Sequence, residues 1–227
     1  AGALATQTAF QKMEMSIRSA SSRIRTEFSL TRNLFLLGFV GGAVGGAFKF
    51  AGDFEKSLAN VSTLLGNADV PISRYKNQLI ELNKASSKDL LDITKGLYQT
   101  ISAGIPAIEG AGGAFDVLKA SVKAAEAGLS TTEQAVNATV TVLNSYKQAN
   151  LSATEVTDKL LQTVVVGRIT FDQLANSLGL VITNSANAGV TLDEMLGAVA
   201  ALTNAGLTSS RTMTSLNAAF TALQPTS

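Results

Sequence analysis

The chain of 227 residues contains no cysteine, no histidine and no tryptophan, and only three prolines and three tyrosines. Without cysteine there is no disulfide, no thiolate nucleophile and no cysteine-based metal site. Without histidine the commonest general base and the commonest metal ligand are both missing. Charge of one sign is lacking too. Eighteen basic and 17 acidic residues leave a net +1, so no global field draws the chain to nucleic acid. What is plentiful is apolar: 46% of residues are hydrophobic and only 15% charged, with aromatics at 6%. That suits a folded or assembly-buried chain and argues against wholesale disorder. The chain opens at Ala1 without methionine and reads as a piece of a longer polypeptide, with processing at the start as the plain alternative.

Three regions follow one another. Residues 1–33 place Phe10, Met13, Ile17, Ile24 and Phe28 on one helical stripe, with five basic residues (Lys12, Arg18, Arg23, Arg25, Arg32) against Glu14 and Glu27. A basic amphipathic helix of this kind suits a partner protein, a membrane surface or nucleic acid; a solvated helix arm is the more economical reading. Residues 34–52 form a glycine-rich apolar segment. Its uncharged run from Leu34 to Phe48 includes Leu34, Phe35, Leu36, Leu37, Phe39, Val40, Val44 and Phe48 as candidate membrane or partner contacts. As a helix it reaches roughly 22 Å, short of the roughly 30 Å bilayer core. Gly41 with Gly45, and Gly42 with Gly46, have the spacing that lets two helices approach closely. Five glycines make it a poor helix in water. A membrane-inserting segment, a helix-packing seam and a flexible linker all stay open. The run is no phosphate loop, since "GGAVGGAFK" lacks the G-K-[ST] ending.

From Asp53 on, apolar residues recur every three or four positions: Phe54, Leu58, Val61; Tyr75, Leu79, Leu82; Leu90, Ile93, Leu97; Leu118, Val122, Ala125. These are helix faces turned to a core. One phrase then recurs: an apolar residue, Ser or Thr, two further residues, Glu or Gln. It gives Ser130 with Glu133, Ser152 with Glu155, Thr170 with Gln173 and Thr191 with Glu194. Each fits a capping box, in which the hydroxyl accepts an amide three residues on and the acid or amide reaches back. Leu129, Leu151, Ile169 and Val190 stand just before these caps, and Val156, Leu174 and Met195 stand four residues inside, as hydrophobic staples require. In the first phrase Gln134 takes that inner slot and the staple fails. "GLTSSRTM" is a fifth, degenerate copy without the acid. Starts about 20 residues apart fit one helix and a short connection each. The expected fold is therefore all-α, an array or bundle of short capped helices over 53–227. No catalytic residue, metal or cofactor is expected, because the acids serve as caps.

"AGDFEKSLANVSTLLG", "DITKGLYQTISAG", "AFDVLKASVKAAEAGLSTTEQAVNATVTVLNSY", "ITFDQLANSLGLVITNSANAGVTLDEMLGAVAALTNAGL" and "LNAAFTALQPT" occur in this order. The ordered set resembles the conserved region of phage tail tape-measure proteins, over roughly residues 50–227. Phe54 and Glu55 match the opening of that region, and Pro225 and Thr226 its close. The resemblance implies a structural, non-enzymatic protein of a long-tailed phage or phage-derived particle. It would lie in the tail-tube lumen of the virion, set tube length during assembly and leave ahead of the DNA. Its partners would be tail-tube and tail-tip or tail-completion proteins, further copies of itself (three would match tail symmetry) and the host membrane on ejection, with no sequence-specific nucleic-acid binding. The rival from another class is a membrane-inserting or pore-forming helical protein that uses the 34–48 segment.

Overall fold

A computed structural model of the chain describes residues 44–66 and 71–224, with side chains from residue 49 onward. The expected N-terminal helix over 1–33 lies outside the described residues. Among those described there are ten α-helices and no strand. They are α1 (Val44–Leu65), α2 (Ile72–Lys84), α3 (Leu90–Ser102), α4 (Ala114–Ala127), α5 (Thr132–Ser145), α6 (Ala153–Val166), α7 (Phe171–Leu178), α8 (Ile182–Asn187), α9 (Leu192–Asn204) and α10 (Ser209–Leu223). The chain divides into two units, 1–63 and 64–227.

In the first unit α1 runs without a break through 52/53, the point where the sequence places a region boundary. Its early turns thus include Gly45, Gly46 and Gly52 despite their low helix propensity. Phe54, Leu58 and Val61 share one face and are buried.

In the second unit α4 lies against α3, α5 and α6. Small residues make this possible. Eight of its 14 positions are buried, among them Ala114, Ala120, Ala124 and Ala125. Ser121 Oγ donates to Val117 O at 2.8 Å and meets Thr139 Oγ1 of α5 at 3.2 Å, so the polar groups in this tight contact stay bonded. Gly96 of α3 serves the same closeness. A Cβ there would come within 2.7 Å of Thr132 and 2.9 Å of Leu118. The larger side chains gather in one cluster across α5 to α10, built on Val142, Leu160, Phe171, Leu178, Ile182 and Met195.

Several ends of these short helices are closed locally. At the C-termini of α3, α8 and α9 the same triplet recurs, Ala, then Gly, then an apolar residue. Gly104, Gly189 and Gly206 take left-handed φ values of 89°, 75° and 99°. The next amide bonds back five residues, as in Ile105 N to Thr100 O, Val190 N to Ser185 O and Leu207 N to Leu202 O. That is the Schellman closure, for which glycine is favoured. At the N-termini Ser152 with Glu155, Thr170 with Gln173 and Thr191 with Glu194 form complete capping boxes, and Thr208 accepts from the Arg211 amide. Val156, Leu174 and Met195 are buried in the cluster, and Leu151, Ile169 and Val190 pack on or in it.

The first phrase departs from expectation by one residue. Ser130 does not cap α5 and Glu133 does not reach back. Thr131 is the cap, accepting from the Gln134 amide at 3.2 Å, and Ser130 Oγ donates to Gln134 Oε1 at 3.0 Å. The cause is Gly128, whose Cβ would lie 2.8 Å from the Phe171 ring. Glycine is used there for close approach at an ordinary φ of −86°. The left-handed position therefore falls on Leu129, with φ 51°, and the cap moves on by one. Leu129, which the phrase places as a staple residue, is 91% exposed.

Two buried tyrosines differ in one respect. The Tyr75 hydroxyl is buried and has no partner among the described residues. The Tyr146 hydroxyl bonds with Ser185 Oγ and donates to Val190 O at 3.1 Å. Tyr146→Phe should cost about 1 kcal/mol, and Tyr75→Phe should cost nothing or stabilise, because an unsatisfied buried hydroxyl is a penalty in the folded state. Thermal melts of the two variants measure the difference.

Candidate functional site

The distinctive surface feature lies where α5 ends. After Ser145 the chain turns through Tyr146 into a short 3-10 turn, Lys147–Ala149, and Asn150 takes the left-handed conformation that asparagine tolerates. Tyr146 points inward and ties this corner to Ser185 of α8 and Val190 ahead of α9. Beside it opens a cleft of about 650 Å³, with Leu151, Ala186, Val190 and Leu192 as apolar lining and Lys147 and Lys159 as its cations. Lys159 pairs with Asp193.

The chemistry available there is binding. The Tyr146 hydroxyl is engaged twice, and burial pushes its pKa above the ordinary tyrosine value, followed by the opposing Ser185 bond and the Glu194 charge. Lys159 is held in its ion pair. A nucleophile beside a free base is not what these residues form. Among the described residues no three acids gather as a metal site would need. The capping carboxylates are spread over separate helix starts. The Glu155 carboxylate accepts from the Ser152 amide and hydroxyl, both at 2.8 Å. Glu194 accepts likewise from Thr191 at 2.9 and 2.7 Å.

The candidate contact residues Leu34, Phe35, Leu36, Leu37, Phe39 and Val40 lie outside the described residues. Val44 and Phe48 fall in the first turns of α1. Phe54 is buried and Glu55 exposed. Pro225 and Thr226 lie outside the described residues. The sequence reading did not find the Tyr146 cleft or the Leu129 tip. A tyrosine directly after a helix, in a chain with three tyrosines, was the available sign of the first.

A family model described as "Phage-related minor tail protein" matches residues 76–227, from α2 through the last helix. The chain belongs to this family of phage tail proteins. It is also 30% identical over 196 residues to a "Probable tape measure protein" of Clostridium phage phiCD119. That alignment covers 84% of this chain and 21% of the relative, so the chain spans about a fifth of that relative's length. No solved structure matches. As a phage minor tail protein the chain is a virion tail component. Its family places it among structural proteins, consistent with helix starts occupied by acids whose task is to close backbone groups.

Those acids set a pH dependence. Glu126 is held below the ordinary glutamate value of 4.5 by the Ser87 amide first and then its hydroxyl. Glu155 is lowered by the Ser152 amide and hydroxyl, and Glu194 by the Thr191 hydroxyl and amide. A carboxyl whose folded pKa is depressed stabilises the fold above its unfolded value and loses that contribution as pH falls through the folded value. The melting temperature should stay level from neutral pH to about 5 and fall below about 4.5. Replacing Glu126, Glu155 and Glu194 together by Gln should flatten that fall, which melts across pH 3–7 would show.

Proposed function

We propose that this chain is a folded helical segment of a tape-measure protein, which sets tail-tube length during assembly and is ejected ahead of the genome. The observation that carries the reading is the likeness to the probable tape measure protein of phage phiCD119, joined to the minor-tail family match. Helical backbone suits a ruler, because length rises linearly at about 1.5 Å per residue. The second unit is not itself a rod, since its turns fold helices of 6 to 15 residues back on one another. It acts as a folded station in a longer tape. Its place is the tube lumen, beside tube, tip and completion proteins, with three copies side by side.

In this reading residues 34–48 are buried against identical copies or the tail wall in the stored particle and meet lipid only after ejection. An uncharged run of this length exposes more apolar surface than monomeric proteins commonly leave in water. The pore-forming alternative has less support. Among the described residues no helix is long and apolar enough to cross a membrane.

One set of engineered phages tests both parts. An in-frame deletion in the tape gene outside residues 64–224 should shorten tails by about 1.5 Å per residue removed, read by electron microscopy. Unchanged tail length overturns the ruler reading. Val40→Asp with Val44→Asp should block assembly or DNA delivery; normal tails with normal infection would make 34–48 a linker.

A further inference from the structure

Helix α2 is the first helix that lies wholly within the second unit, and neither of its ends is closed in the ways described above. Pro71 stands at its start and offers no side-chain acceptor, so no side chain caps its first amides. It ends on Ala85 at φ −91°, without the left-handed glycine that closes α3, α8 and α9. Its packing is thin as well. Three of its 13 positions are buried, Tyr75, Leu79 and Leu82, against eight of 14 in α4. None of the three belongs to the apolar cluster that joins α5 to α10. The helix packs on α3, which in turn packs on α4 and α5.

The same region leaves polar atoms without partners. Among the described residues six buried side-chain oxygens have no hydrogen bond, and four of them lie on α2, α3 and the turn between. They are the Tyr75 hydroxyl, Gln78 Oε1, Ser86 Oγ and Gln99 Oε1. A buried oxygen that has lost water and found no donor or acceptor raises the free energy of the closed state, and it regains water on opening. Tyr75 and Gln78 are carried by α2 itself, so its own docking is opposed by groups that it buries. The first turn is fastened by an ion pair. Arg74 Nη1 lies 2.8 Å from Glu109 Oε1 in the connection between α3 and α4, and both side chains are about half exposed. Pairs that open to solvent hold little.

Just beyond α2 the chain is anchored firmly. The Ser87 amide and hydroxyl both donate to Glu126. Lys88 Nζ donates to Ser130 O at 2.6 Å. Thr132 Oγ1 donates to Asp92 Oδ2 at 2.5 Å. These ties join the start of α3 to the turn between α4 and α5. Gly96, farther along α3, lies bare against Thr132 and Leu118. An opening that begins at α2 therefore meets a boundary at Ser87.

We propose that α2 is a releasable strap: it lifts from α3 as one piece while α3 to α10 stay folded, and the opening stops at Ser87. Its 13 residues span about 20 Å as helix and about 43 Å when extended. Lifting α2 thus lengthens the connection ahead of α3 while the core of the second unit stays intact. The inference does not rest on the ruler reading, because it concerns the opening of one helix in this chain.

Native-state hydrogen exchange on the full 227-residue chain, in rising sub-denaturing urea, tests it. The amides of Gln78 to Lys84 should exchange together, at least about tenfold faster than the slowest amides of α4 and α5 after correction for intrinsic rates. Their urea dependence should be weaker, since less surface opens. The amides of Ile93 to Leu97 should stay protected with those of α4. Val199→Ala weakens the core, and should speed the slowest α4 and α5 amides about fivefold or more while leaving α2 unchanged. Tyr75→Phe removes an orphaned hydroxyl, and should slow exchange in α2 about fivefold or more. Amides of α2 that open only with the whole second unit overturn the proposal, as does Val199→Ala speeding them by the same factor as α4. Exchange of Ile93 to Leu97 in step with α2 overturns it too, as does Tyr75→Phe that leaves α2 exchange unchanged or faster.

Discussion

The structure depends on closing the ends of short helices. Every α-helix leaves four amides and four carbonyls without intrahelical partners, whatever its length. In helices of 13 to 15 residues, such as α2 to α6, α9 and α10, those groups are a large share of the backbone. A fold assembled from such pieces holds only if nearly every end is satisfied on the spot. Here Ser or Thr with Glu or Gln closes the starts of α6, α7 and α9, and Ala-Gly-apolar closes the stops of α3, α8 and α9. At α6, α7 and α9 the staple residues carry the closed start into the shared core, so that capping and packing reinforce one another at the same positions.

Local closure explains why so much of the fold is legible in the sequence. A capping box needs residues only three apart, and a staple residues only five apart, so both can be read without tertiary knowledge. Thr191 with Glu194 and Val190 with Met195 are examples. The helix faces at Tyr75, Leu79 and Leu82, or Leu90, Ile93 and Leu97, are legible for the same reason, since their spacing is the helix period. The glycine-rich run is harder. Its composition argues against helix, yet Val44 to Gly52 belong to α1, which continues unbroken into the well-patterned stretch after Asp53. Propensity there gives way to the context of a longer helix.

The surface with functional character is less legible, and the reason is distance along the chain. The choice between Ser130 and Thr131 as cap depends on Phe171, some forty residues away, which needs Gly128 bare beneath it. Nothing in "GLSTTEQA" distinguishes the two registers. The cleft likewise draws Tyr146, Leu151 and Val190 from separate turns, and the Tyr146 bonds to Ser185 and Val190 O span about forty residues. The family, by contrast, was readable from ordered short motifs, because each is a contiguous stretch of sequence.

The central claim is that locally closed ends bind the short helices into a cooperative fold. Native-state hydrogen exchange on the full chain tests it at the amides of Glu155, Gln173 and Glu194, which donate to the Ser152, Thr170 and Thr191 hydroxyls. The account predicts that these first-turn amides are protected, and that they open with the same free energy as the interior amides of α6, α7 and α9. Exchange at the rate of an unstructured peptide, with the helix interiors still protected, would contradict it.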